Sequence, residues 1–74
     1  MEKLMEILAD IRPDLDFETQ DKLIDDGILD SFDIISIVSE VNSAFDIGIN
    51  VVDLKPENFN NAQAIWRLIE RYNA

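Results

Sequence analysis

Leu4, Ile7, Leu8 and Ile11 stand at i, i+3, i+4 and i+7, the spacing that gathers four apolar side chains on one face of a helix. Pro13 ends that pattern, because proline removes a helical donor and pushes its predecessor toward extended backbone. The period returns at Ser31 and runs to about Phe45, with Ile34, Ile37, Val38, Val41 and Phe45 at steps of three and four; this predicts the central helix. A third stripe, Ile65, Leu68, Ile69 and Tyr72, predicts a last helix with Trp66 on its flank and Gln63, Arg67, Glu70 and Arg71 toward water. Asn60 and Asn61 offer caps for it, and Pro56 suits the first position of a short helix reaching Phe59. The expected fold is all-α, a small four-helix bundle of three main helices and one short one.

The intervals between the stripes carry less pattern. In residues 14 to 30, Phe17, Leu23, Ile24, Ile28 and Leu29 are spaced irregularly, as in a long loop pinned to a core by occasional apolar contacts. A loop of this length in a small domain is uncommon and usually functional, and Gly27 is expected to take a backbone conformation that other residues resist. Asp30 is a good N-cap for the central helix, and Asp33, three positions later, completes a capping-box-like pair that suits the positive end of the helix dipole. Asp46 and Gly48 break the central pattern. The following INVVDL, residues 49 to 54, is β-branched enough to read as extended. With no second strand to pair with, it reads as a linker.

Composition narrows the function. Seventy-four residues make one domain, 1–74, whose core is small. Cysteine and histidine are both absent, which removes thiolate chemistry, the usual general base near neutral pH and the commonest imidazole ligand. The chain is therefore not expected to be an enzyme in its own right. Sixteen acids against six bases give a formal net charge of -10, which disfavours nucleic-acid phosphates and anionic lipid and favours a basic protein surface as partner. An apolar fraction of 47% is ordinary for a folded domain and too high for a disordered acidic tail. MEKLMEILAD lacks the basic start and continuous apolar run of a signal peptide, and no stretch approaches a membrane span; a cytoplasmic monomer is expected.

Within IDDGILDSFDIISIVSEV, Ser31 lies between Asp30 and Phe32 where the loop becomes a helix. It reads as a plain first-turn residue, as a nucleophile, or as a site that another enzyme modifies. The second reading lacks a base, since no histidine or buried lysine accompanies it. The third gains from position: a phosphate ester here would meet free backbone N–H groups and the helix dipole. Asp25, Asp26, Asp30 and Asp33 oppose it, with no intervening base in sequence, unless a basic partner or a divalent cation covers the site. On a helix of about 3.6 residues per turn, Phe32 shares the face of Ser36, Ser39, Glu40 and Ser43, opposite the core stripe, with Ile35 at its edge. Phe32 is then either a partner contact or packed beneath the preceding loop.

At these residues the chain resembles the acyl carrier proteins and the related peptidyl and D-alanyl carrier proteins. Asp30, Ser31, Phe32 and Asp33 stand where that family has an Asp-Ser-Leu-like motif at the start of its second helix. Gly27 falls upstream where the family's loop commonly has a glycine. FDIGI after the central helix and the last amphipathic helix extend the resemblance over nearly all 74 residues. The resemblance implies that Ser31 carries covalent 4′-phosphopantetheine, attached by a phosphopantetheinyl transferase from coenzyme A with Mg²⁺, and that Asp30 helps orient that metal. It implies a carrier that holds an acyl or aminoacyl group as a thioester between a loading ligase or adenylation enzyme and downstream acyl-transfer or condensing enzymes. Phe32, Asp33, Ile35, Ser39 and Glu40, beside Asp30, form the expected docking surface.

Two departures shape that expectation. Phe32 replaces the usual leucine, and the central helix, with Asp33 and Glu40 among serines, is less acidic than in fatty-acid carriers. With Trp66 and DLKPENF they favour a stand-alone aminoacyl or specialised acyl carrier over a housekeeping fatty-acid role. The alternative is an unmodified acidic helical interaction module. DDGILD is carboxylate-rich, but its spacing does not fit an EF-hand loop of about 12 residues, so no resident metal is expected.

Overall fold

A computed structural model describes residues 2–73. It is all-helical: α1 spans Glu2–Ile11, α2 Ser31–Phe45, α3 Pro56–Phe59 and α4 Ala62–Asn73, with a 3-10 turn at Val51–Asp53 before α3. The three apolar stripes become the facing surfaces. Leu4 and Leu8 of α1, Ile37 and Val41 of α2, and Ile65, Leu68 and Ile69 of α4 are buried around Phe59 of α3. Burying such side chains supplies about 1.5–3 kcal/mol each, which offsets the ordering of a short chain.

Two basic side chains fix how α1 and α2 pair. Near the start of α1, Lys3 Nζ donates to the Ala44 carbonyl in the last turn of α2 (2.8 Å) and lies 5.4 Å from the centre of the Phe45 ring. Just past the end of α1, Arg12 reaches Asp33 in the first turn of α2. The helices therefore run antiparallel. Lys3 also gives the C-terminal end of α2, which has no basic residue of its own in its last turn, the cation that its dipole favours. Phe45 meets Trp66 of α4 edge-on, with ring centres 5.9 Å apart, and so ties α2 to α4.

The long loop behaves as its scattered apolar residues suggest. Phe17, Leu23 and Leu29 are buried in the core. The Leu23 carbonyl accepts from both Ile28 and Leu29 N–H, at 2.9 Å each, folding residues 23–29 into a closed turn. Gly27 crosses it at φ +71°, a conformation that a Cβ makes costly.

The segment after α2 is a linker, as expected, and carries a 3-10 turn at Val51–Asp53. Asp46 ends the helix in the left-handed region (φ 54°, ψ 52°), and the Asn42 side chain accepts from Ile49 N–H at 3.0 Å. Asn50 caps the 3-10 turn by accepting from Val52 N–H (3.1 Å). Tyr72 Oη accepts from Asn50 N–H (2.9 Å) and donates to Asp53. Side chains thus supply the backbone partners that a neighbouring strand would have given, and a β-branched run closes into a turn. Among the described residues no helix is long and apolar enough to cross a membrane.

Candidate functional site

The start of α2 is built by its neighbours. Asp30, the N-cap, sits in extended backbone, and its Oδ1 accepts from Asp33 N–H at 3.0 Å. Asp33 Oδ2 returns the contact by accepting from Asp30 N–H at 3.2 Å. This is the capping box expected from their spacing, and it satisfies two donors that a helix start leaves open. Ser31, the first helical residue, lies outside the box and is exposed. Its own N–H and that of Phe32 find no acceptor among the described residues, so this end of α2 keeps free donors beside the hydroxyl.

Asp33 is also held from a distance. Arg12 Nη1 donates to Asp33 Oδ2 at 2.8 Å and to the Ile28 carbonyl at 3.3 Å, while its Nε and Nη2 grip both oxygens of Asp14 at 3.2 and 3.1 Å. The Asp14 hydrogen bond, with that carboxylate's charge and Asp33's, raises the Arg12 pKa above its ordinary value. Hydrogen bonding to Arg12 in turn holds Asp14 below its ordinary 3.8. The acids around Ser31, which have no base among them in sequence, thus receive one through tertiary structure.

The other expected docking residues divide by exposure. Phe32 is 80% exposed and Ile35 59%, which removes the possibility that Phe32 packs under the loop. Ser39 and Glu40 are exposed as well. Asp33 is different: its side chain is 17% exposed and engaged by Arg12 and by the cap, so it is part of the frame that supports the face.

A second support is Asn60. Read as a cap for α4, it leaves that task to Asn61, whose Oδ1 accepts from Ala64 N–H (2.7 Å). Asn60 Oδ1 accepts from Ile24 and Asp25 N–H (3.0 and 3.1 Å), its Nδ2 donates to Asp25 (3.2 Å), and its carbonyl accepts from Leu23 N–H (2.9 Å). Asn60 therefore clamps the loop that leads to Ser31. Neither Arg12 nor Asn60 carries a local motif; the only hint is that Arg12 closes α1, where a helix favours a cation.

Among the described residues no group of three or more carboxylates is placed to hold a metal ion, and the acids of DDGILD do not converge. Asp30 Oδ2 takes no part in the capping box and is free to face a cation brought by a partner. Among the described residues no histidine or lysine side chain is hydrogen-bonded to Ser31. The arrangement offers an accessible hydroxyl, free helix-start donors and an exposed apolar pair. The chain matches no family model, no curated protein and no solved structure.

Proposed function

We propose that the chain is a carrier protein, modified on Ser31 with 4′-phosphopantetheine. The observation that carries the reading is the accessible Ser31 at the first position of a firmly capped helix, with Phe32 exposed beside it. The residues fit the group: the free N–H donors at the start of α2 suit a phosphate oxygen, and Asp30 Oδ2 suits the Mg²⁺ that a phosphopantetheinyl transferase brings. The arm, once attached, supplies the thiol that holds an acyl or aminoacyl group. The protein itself does no bond chemistry. It presents the site, and its charge of -10 speeds encounter with basic partners. The tether then raises the local concentration of cargo at the loading and acyl-transfer enzymes. The sparse acidic face of α2 favours an aminoacyl or specialised acyl cargo.

The test is intact-mass measurement after incubation with a phosphopantetheinyl transferase, coenzyme A and Mg²⁺. One added phosphopantetheine group per chain is expected. No gain with several transferases would sink the reading and leave the acidic interaction module.

Phe32 and Ile35 are the apolar part of the docking face. Burying an exposed phenylalanine against a partner contributes about 1.5–3 kcal/mol, so Phe32→Ala is expected to lower kcat/KM for attachment or loading by about tenfold. Its thermal stability should not change. Unchanged kinetics with the transferase and every loading enzyme would remove Phe32 from the docking surface.

A further inference from the structure

The contacts of Arg12 join two parts of the chain that sequence keeps apart. Its Nη1 bridges Asp33 in the first turn of α2 and the carbonyl of Ile28, two residues before the N-cap. Asp33 Oδ2 receives both Arg12 and the N–H of Asp30. One guanidinium therefore restrains the backbone entering the helix and the carboxylate closing the box over it. Asp14 occupies the opposite edge of the fork through two hydrogen bonds, which sets the plane of the guanidinium. The Arg12 and Asp33 side chains are 28% and 17% exposed, so solvent screens this pair less than a surface pair.

Resting on the carrier reading, we infer that Arg12 is a positioning residue for the modification of Ser31: through Asp33 and the Ile28 carbonyl it holds the start of α2 in the one geometry in which the hydroxyl meets the incoming phosphate. The Ser31 oxygen bonds to the pantetheine-bearing phosphorus of coenzyme A as the pyrophosphate bond breaks, adenosine 3′,5′-bisphosphate leaves and the serine proton passes to the transferase; that attack needs the oxygen aligned with the leaving group, and small misplacements of a reacting atom lower rates steeply. Arg12 also offsets the Asp33 charge that would otherwise repel that phosphate. It lies off the docking face, so its loss acts on the chemical step and spares recognition by Phe32 and Ile35.

Arg12→Gln is expected to lower kcat for phosphopantetheine transfer about fivefold with KM changed less than about twofold. Arg12→Lys, which keeps a cation against Asp33 without the fork, should recover most of that loss, and Asp14→Asn, which loosens only the opposite edge of the fork, should lower kcat less than Arg12→Gln does. In an Asp33→Asn background Arg12→Gln should cost less than it does alone, the remainder being its contact with the Ile28 carbonyl, since residues acting as a unit are not additive. All rates are taken at a temperature where circular dichroism shows each variant folded. Hydrogen exchange gives a readout independent of transfer: amides 28–33 should exchange faster in Arg12→Gln. Additive losses with Asp33→Asn, an effect on KM alone, or wild-type kcat and exchange in Arg12→Gln would overturn the positioning role while the carrier reading stands. A wild-type chain that accepts no phosphopantetheine would overturn the carrier reading, and the role of Arg12 in transfer with it.

Discussion

Ser31→Ala is expected to abolish phosphopantetheine attachment completely while the protein stays folded. The two consequences separate because the structure divides the work at the start of α2. The cap is made by Asp30 and the reciprocal contact by Asp33, so neither depends on the serine hydroxyl. Ser31 is exposed, and alanine is the best helix former for the position it occupies. The change in stability is therefore expected within about 0.5 kcal/mol. Intact mass reads the first consequence and denaturant unfolding the second. A variant that still gains one group would place the modification on another residue and end the assignment of Ser31. A variant that loses both the gain and the fold would mean that the serine supports the helix start in a way these contacts do not account for.

That division of work was partly legible in the sequence. The spacing of Asp30 and Asp33 shows a capping box because both partners lie within one helical turn. The stripes of α1, α2 and α4 show because burial repeats with the helical period. Arg12 and Asn60 have no such signature. Arg12 meets Asp33 at a separation of 21 residues, and Asn60 meets Ile24 and Asp25 at 36 and 35. Contacts of that span depend on how helices pack, which periodicity in any one segment does not encode. INVVDL is a related case: with no strand to pair with it reads correctly as a linker despite its β-branched residues, but the 3-10 turn inside it depends on the contacts of Tyr72 and Asn50. Phe32 lies between these cases. The helical wheel places it opposite the core, and the packing of the loop decides that it stays exposed.

Asn60→Ala is expected to cost about 2 kcal/mol, because it leaves the N–H groups of Ile24 and Asp25 without their shared acceptor and an unpaired, partly buried donor costs about 1–3 kcal/mol. Ile24 is half-buried whereas Asp25 is exposed, so the Ile24 donor bears most of this cost and water replaces the partner of Asp25. A domain of this size rarely holds more than about 3–5 kcal/mol in its core, so the loss is a large share of the total. The Asn60 carbonyl still accepts from Leu23 N–H, which keeps α3 attached to the loop. The expected result is a lower denaturant midpoint with an unchanged slope, and faster amide exchange confined to residues 23–29. Asn60→Asp separates the two halves of the clamp. It retains an acceptor for both N–H groups but sets a second carboxylate against Asp25, where the amide now donates. Its cost should shrink as salt screens that repulsion, whereas the cost of Asn60→Ala should not. A midpoint unmoved by Asn60→Ala would show that packing of Leu23 and Leu29 alone holds the approach to Ser31.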